Sequence, residues 1–141
     1  MNPKVLKFIK QNRVSVLTTL RKDGGPHSAA LHYAFDEKPL KFYFSTENIS
    51  RKVQALLKGK ATKASMVIGF SEEEWLTLQM DGIVKAVLKP KELANVHKVY
   101  YKLHPSSLKY KDDPATIFLE FTPTWWRYSD YNFSPPKTIS S

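Results

Sequence analysis

The chain contains no cysteine, and this absence excludes several kinds of chemistry at once. Without thiols there can be no disulfide, no thiolate-bound metal and no cysteine nucleophile. No stretch approaches the roughly 20 apolar residues of a membrane-spanning helix. Residues 1–6 also lack the apolar core and cleavage site of a secretory signal. We therefore expect a cytoplasmic protein that does not enter a membrane.

Acidic residues are scarce relative to basic ones. The 141 residues include 13 Asp and Glu against 22 Lys and Arg, which gives a formal net charge of +9. This balance favours anionic partners such as nucleotides, phosphorylated cofactors or nucleic acid. The lysines are scattered rather than grouped in a block, so most of them are expected to form an ordinary solvated surface. The length is that of a single domain with a substantial core.

The most informative segment is a polar stretch, residues 45–52, that follows an aromatic strand at residues 40–44. The apolar spacing after it predicts a helix from residue 51 to about residue 57, with Ser50 or Asn48 as its N-cap.

Hydroxyl groups, free backbone N–H groups and two basic side chains would meet at the start of this helix. This is the chemistry that a phosphate monoester needs, because fixed donors and positive charge both stabilise it. An ordinary capped helix with its basic side chains in water explains the same residues equally well.

Hydrophobic patterns along the chain predict the order helix, three strands, helix, two strands, helix, strand. The strands are expected at residues 13–20, 27–35, from 40, 64–70, 75–88 and 116–128. Gly82 interrupts the fifth strand and indicates a bulge that curves the sheet. We predict a mainly β fold: a six-stranded antiparallel barrel of Greek-key type with flanking helices, in a domain of residues 1–129. Residues 130–141 are expected to be a tail that either wraps the surface or is mobile.

Four segments, in the right order and at compatible spacing, carry a resemblance to a known family. They are Leu17–Thr19, Asp23–Pro26, Phe42–Lys52 and Leu78–Ala86. With these segments the sequence resembles the pyridoxamine-phosphate-oxidase-like family of FMN-binding split barrels, from about Val5 to Tyr128. The resemblance implies a symmetric homodimer with FMN at the interface between its subunits.

The resemblance also implies which residues bind the cofactor. Ser50, Arg51 and Lys52 would hold the FMN phosphate, and Ser45 and Thr46 would add hydroxyl or backbone contacts. The flavin ring would be contacted from three strands: by Ala29, Leu31 and His32 in the second, by Thr77 or Gln79 in the fifth, and by Tyr128 in the last.

One departure from the family affects the expected substrate. The segment Arg127–Asn132 lacks the Arg-x-His-type substrate motif of true pyridoxamine phosphate oxidases, and the longer helical insertion before the last strand is also missing. The resemblance therefore implies an FMN-dependent oxidoreductase that uses a small-molecule substrate or electron donor other than a vitamin B6 phosphate. No catalytic side chain is predicted. Because related members of the fold bind F420, haem or biliverdin, a non-enzymatic binding protein is the alternative.

The four histidines do not predict a metal site. His27 and His32 differ by an odd number along a strand, so their side chains point to opposite faces. His97 and His104 are two helical turns apart, roughly 10 Å, which is too far for one ion. We expect His104 to cap a helix C-terminus and His32 to lie in a pocket or interface.

Nucleic-acid binding is the alternative from another class of function. The positive charge and the aromatic residues near the C-terminus could form a basic groove with stacking rings. However, Trp125 and Trp126 are neighbours on a predicted strand and must face opposite ways. No nucleic-acid-binding motif is present, so this partner is not expected.

Overall fold

The computed structural model describes the whole chain, residues 1–141, as eight strands, three α-helices and a 3₁₀ helix. The first half contains α1 (Pro3–Gln11), β1 (Val14–Leu20), β2 (Pro26–His32), β3 (Ala34–Glu37), β4 (Leu40–Glu47) and α2 (Arg51–Gln54). The second half contains β5 (Thr62–Ile68), β6 (Leu76–Ala86), α3 (Pro90–Leu103), the 3₁₀ helix (Pro105–Tyr110), β7 (Thr116–Asp130) and β8 (Lys137–Ser140). None of the helices is both long and apolar enough to cross a membrane.

All eight strands form one antiparallel sheet in the order β2-β1-β5-β6-β7-β4-β3, with β8 paired to β7. The two ends of this path, β2 and β3, are separated in the chain by a single residue, Tyr33. One kinked segment therefore pairs with β1 through its first half and with β4 through its second half. The sheet curls into a split barrel, as the sequence predicts.

The barrel interior is filled by large apolar side chains. Leu17, Phe42, Phe44 and Phe121 are among the fully buried residues of the main core. β6 shows the alternation of a strand with one face in this core, because its even-numbered residues from Leu78 to Ala86 are buried. Burial of this apolar surface is the main force that stabilises the barrel.

Helix α3 covers a second, smaller core on the outside of β4 and β7. Val96, Tyr100 and Tyr101 of α3 pack against Tyr43 and Phe118, which point outward from the sheet. β4 is therefore covered on both faces, which is why three consecutive aromatic residues are buried there.

The bulge predicted at Gly82 is present. The pairing register of β6 with β7 shifts between Asp81 and Gly82, where Thr124 is the extra residue of β7. A β-carbon at Gly82 would clash with the carbonyl oxygen of Thr122. Only glycine fits this close approach of two backbones.

Three expectations from sequence need correction. The barrel has eight strands instead of six, because the predicted second strand breaks at Tyr33 and the C-terminal segment adds β8. The predicted helix at residues 51–57 ends at Gln54, since the next backbone bonds span only three residues, from Leu56 N to Val53 O and from Gly59 N to Leu56 O. The last strand continues to Asp130, and of the two alternatives for the tail the wrapped one is found.

Candidate cofactor site

The end of β4 and the start of α2 line a cavity of about 510 Å³. Four of the five predicted phosphate-binding residues meet there: Ser45, Thr46, Ser50 and Lys52. The fifth, Arg51, is exposed and does not line the cavity. We call this space the Lys52 cavity.

The ammonium group of Lys52 is held in place at the cavity wall. Lys52 is half-buried, and its Nζ donates a hydrogen bond of 2.7 Å to Ser50 Oγ. Burial lowers the pKa of Lys52, while the nearby carboxylate of Glu47 raises it. A partly desolvated ammonium interacts more strongly with an anion than a fully solvated one does.

The start of α2 differs from the predicted anion site at a helix terminus. Ser50 occupies the N-cap position, but neither its side chain nor that of Asn48 caps the helix. Instead the carbonyl oxygen of Asn48 accepts a hydrogen bond of 2.8 Å from Gln54 Nε2. With only four residues, α2 has a small dipole, so the donors here are mainly side chains.

A distant part of the chain completes the cavity. The 3₁₀ helix and the loop after it contribute Ser107, Tyr110, Asp113 and Ala115, and β7 contributes Thr116. The loop is pinned by hydrogen bonds from the Thr116 hydroxyl to Tyr110 O (3.0 Å) and from Ala115 N to Asp113 Oδ1 (2.9 Å). Sequence analysis missed these residues, because they reach the site only through the pairing of β4 with β7.

The cavity contains two carboxylates beside its single ammonium group. Glu47 and Asp113 line it together with Lys52 and with several hydroxyl groups. Lys52 and the hydroxyls fit one anionic group such as a phosphate, whereas the carboxylates are acceptors suited to the hydroxyls of a sugar or ribityl chain. This donor set matches a phosphorylated, hydroxyl-rich ligand better than a bare phosphate ion.

The predicted ring-binding residues of β2 lie at one end of the sheet path. Ala29 and Leu31 are half-buried, while His32 is exposed. The His32 ring packs edge-on against His104, with 5.7 Å between ring centroids. None of the three β2 residues lines the Lys52 cavity, so their contact with a flavin remains a prediction.

The other predicted ring-binding residues are also outside the Lys52 cavity. Thr77 is half-buried and its Oγ1 donates to Ile68 O at 3.4 Å, whereas Gln79 is exposed. Tyr128 is a core residue whose ring packs edge-on against Phe8 at 5.3 Å. A role for these residues in cofactor binding likewise remains a prediction.

His104 lies at the C-cap of α3, as expected, but its side chain does not bond to that helix. Its backbone N–H donates to Tyr100 O, and its Nε2 donates to the carbonyl oxygen of Tyr33 at 2.8 Å. His104 therefore attaches α3 to the kink between β2 and β3. No group of three or more His, Asp or Glu side chains is arranged to hold a metal ion.

Solved structures share this fold at low sequence identity. A protein from Clostridium acetobutylicum related to general stress protein 26, of the pyridoxinephosphate oxidase family, is 18% identical with a TM-score of 0.72; the match covers 98% of this chain and 91% of that one. A haem-binding protein from Mycobacterium smegmatis is 14% identical with a TM-score of 0.74, covering 95% of this chain and 54% of that one. The haem storage protein HutZ from Vibrio cholerae is 14% identical with a TM-score of 0.71, covering 86% and 89%.

A search of curated protein sequences finds no match. The family model described as pyridoxamine 5'-phosphate oxidase, however, matches residues 1–130. That span includes the whole curled sheet apart from β8, together with every residue of the Lys52 cavity. The split barrel, its structural relatives and this match agree, and the chain therefore belongs to the pyridoxamine 5'-phosphate oxidase family.

Proposed function

We propose that the protein binds FMN, with the phosphate in the Lys52 cavity, and acts as a flavin-dependent oxidoreductase. The observation that carries this proposal is the half-buried Lys52 ammonium beside the hydroxyls of Ser45, Thr46 and Ser50. Membership of the family supports the same class of cofactor.

The chain's own residues would bind and orient the cofactor. Lys52 neutralises charge on the phosphate, and the three hydroxyl groups donate to its remaining oxygens. Glu47 and Asp113 accept hydrogen bonds from ribityl hydroxyls. Bound FMN would supply the transfer of a hydride or of electrons, which explains why no catalytic side chain is needed.

A flavin titration tests the phosphate site directly. FMN, FAD and riboflavin are titrated separately into cofactor-free protein, with quenching of flavin fluorescence as the signal. FMN is expected to bind at least about tenfold more tightly than riboflavin, which corresponds to one charge-assisted hydrogen bond. Equal affinity for FMN and riboflavin would remove the case for a phosphate-binding cavity.

Haem is the second candidate ligand. His32, the last residue of β2, is an exposed imidazole. Imidazole is a common axial ligand of haem iron. Two of the structurally similar proteins are a haem-binding and a haem storage protein. A haem titration followed by the Soret absorbance band, repeated with His32→Ala, separates this candidate from FMN. A Soret band that depends on His32, without flavin binding, would favour the haem candidate. F420 is a further alternative, and it would be revealed by the absorbance spectrum of the ligand that co-purifies with the protein.

The substrate is proposed to be other than a vitamin B6 phosphate. Arg127 is exposed and stacked over the Trp125 ring (5.3 Å), and the segment around it lacks the family's substrate motif. A nicotinamide or another small electron donor is the proposed partner. Turnover of pyridoxamine phosphate at ordinary enzyme rates by the FMN-loaded protein would contradict this assignment.

A further inference from the structure

A second cavity of the molecule is separate from the Lys52 cavity. It measures about 790 Å³ and lies between the C-terminal end of α1, the kink at Tyr33 and the outer face of α3. None of the predicted cofactor-binding residues lines it. We call it the α1–α3 cavity; its volume lies within the range of pockets that hold drug-sized ligands.

The α1–α3 cavity carries an excess of positive charge. Four basic side chains line it, and one of them, Lys10, is paired with Glu37 at 2.6 Å. The other three, Arg13, Lys98 and Lys102, form no ion pair in the structure. The cavity thus has four basic and two acidic side chains, which gives it a net charge of +2, and three of its cations form no ion pair.

The second carboxylate of the cavity is already engaged. Asp36 Oδ2 accepts hydrogen bonds from the hydroxyl of Tyr43 at 2.8 Å and from Asn95 Nδ2 at 3.1 Å. Asp36 is therefore held toward β4 and α3 by donors that do not belong to the three free cations. Asp36 keeps its charge but forms no ion pair with Arg13, Lys98 or Lys102, so these three side chains are free to contact an anionic ligand.

Another wall of the cavity is apolar. Phe35, Val99 and Leu103 line it, and Leu103 is 48% exposed although it is a large aliphatic residue. The Phe35 ring packs against the rings of Tyr33 (6.4 Å) and Phe42 (6.1 Å), so it is anchored in the barrel core. Apolar surface next to unpaired cations is the pattern of a site for an amphipathic anion.

The floor of the cavity is rigid. Tyr33 is buried, its hydroxyl donates to Ile9 O at 2.7 Å, and its N–H donates to Arg13 O at 3.1 Å. Its carbonyl oxygen accepts the hydrogen bond from His104. A cavity floor that is held by these hydrogen bonds needs little ordering when a ligand binds, and this favours affinity.

We propose that the α1–α3 cavity is a second binding site, for an organic anion that combines an apolar ring or chain with one anionic head group. The head group lies against Arg13 and Lys102, and the apolar body covers Val99 and Leu103. This site is independent of flavin binding at the Lys52 cavity.

A matched pair of fluorescent probes tests the proposal. 8-Anilinonaphthalene-1-sulfonate is an apolar ring system with one anionic group, and N-phenyl-1-naphthylamine is the same ring system without the charge. The anionic probe is expected to bind one molecule per chain and more tightly than the neutral probe. Equal affinity of the two probes would overturn the proposal, because the three cations would then have no role.

Charge-removing variants show whether the named residues form the site. Arg13→Gln and Lys102→Gln are each expected to weaken the anionic probe by about fivefold, the effect of one partly exposed ion pair. The affinity of the neutral probe should not change. Lys60→Gln, which removes an exposed charge outside the cavity, is the matched control. A loss in the control equal to that in Arg13→Gln and Lys102→Gln would overturn the proposal.

Two further measurements locate the probe. In NMR spectra of labelled protein, the amide signals of Arg13, Lys102 and Leu103 are expected to shift on addition of the anionic probe. The probe should remain bound when saturating FMN is added. Displacement by FMN, or amide shifts confined to the Lys52 cavity, would show that the α1–α3 cavity is not the site. These readouts do not depend on whether FMN binds.

Discussion

Two adjacent basic residues, Arg51 and Lys52, differ in their exposure to water. Lys52 is half-buried and bonded to Ser50, whereas Arg51 is exposed. We expect Lys52→Ala to weaken FMN binding by about 1.5–3 kcal/mol, the range for a hydrogen bond to a charged group. Arg51→Ala should cost less than about 1 kcal/mol, as exposed ion pairs do. Calorimetric titration with FMN measures both, with the exposed Lys58→Ala as control.

This prediction differs from what the sequence alone suggests, since a motif of consecutive basic residues gives both the same weight. If Arg51→Ala weakened FMN as much as Lys52→Ala, the exposed side chain would have to reach the ligand, and the ranking by burial would be wrong.

The hydroxyl of Tyr33 satisfies a carbonyl group that the helix cannot. Ile9 O is among the last four carbonyls of α1, which have no partner within the helix. Burial also raises the pKa of Tyr33 far above its usual range, so the hydroxyl stays protonated and donates. Tyr33→Phe is expected to lower the free energy of unfolding by about 1–2 kcal/mol. Urea denaturation measures this change.

Tyr131→Phe is the matched control, because Tyr131 is 50% exposed and its hydroxyl can bond to water in either state. An equal loss in both variants would mean that the Ile9 hydrogen bond contributes nothing to stability.

The candidate site could be predicted only where it is local in sequence. Ser45, Ser50 and Lys52 belong to one short segment, and their meeting follows from a strand that leads into a turn. Tyr110 and Asp113 are about 60 residues further along the chain, and no local pattern connects them to that segment. Their position depends on which strand pairs with β4, and this information is non-local.

At the scale of elements, the attachment of α3 to the barrel predicts a pH dependence. Burial lowers the pKa of His104 below its ordinary value of about 6.5, opposed by the hydrogen bond to Tyr33; the charges of Arg13 and His32 lower it further. The unfolded chain therefore binds a proton more readily than the folded one. The free energy of unfolding should fall as the pH drops from about 7 through the folded-state pKa of His104.

Denaturation curves at a series of pH values between about 7 and 5.5 measure this loss. His104→Gln should flatten the dependence, because it removes the group that titrates. Part of the pH dependence of the free energy of unfolding should remain, since burial and Lys111 lower the pKa of His97 as well. An unchanged slope in His104→Gln would contradict the assignment, and His27→Gln, which replaces a histidine of β2, is the control.

Most elements could be predicted from periodicity and turn residues, and the exceptions have physical reasons. The position of α3 follows from Pro90 and from apolar residues at intervals of three and four. The break at Tyr33 leaves no sequence signal, because it arises from the closing of the sheet. β8 is not predicted because Pro135 and Pro136 are typical of a loop, and they do lie in the connection between β7 and β8.

At the scale of the whole molecule, we propose a homodimer, because apolar side chains lie on the outer face of the sheet. Val14 and Val16 of β1 point away from the core, and Ile83 of β6 is 44% exposed. The solvent face of an antiparallel sheet is usually polar. Light scattering should therefore give twice the chain mass of 16.2 kDa at micromolar concentration.

Val16→Lys is expected to shift the equilibrium toward the monomer, because it places a charge on the apolar outer face. Gln11→Lys, which adds the same charge at an exposed position of α1, controls for general effects of added charge. A wild-type protein that is monomeric with its cofactor bound would contradict the proposed dimer.

The overall topology of the sheet could be predicted only in part from the sequence. Alternating strands, short turns and few helices favour an antiparallel barrel over other classes, and the structure has one. The order β2-β1-β5-β6-β7-β4-β3 is not written in any single segment, since pairings such as β4 with β7 join residues far apart in the chain.

β7 pairs with β6 along one edge, and the strand paired with its other edge changes partway along its length. Residues 116–121 pair with β4, residues 127–130 pair with β8, and between them lies Pro123, which has no N–H to donate. Amide protons in the two halves of β7 are therefore shielded by different elements, and their exchange with solvent should respond to different perturbations. Shortening the C-terminus would therefore expose only the second half of β7, and the half that borders the Lys52 cavity would keep its pairing with β4.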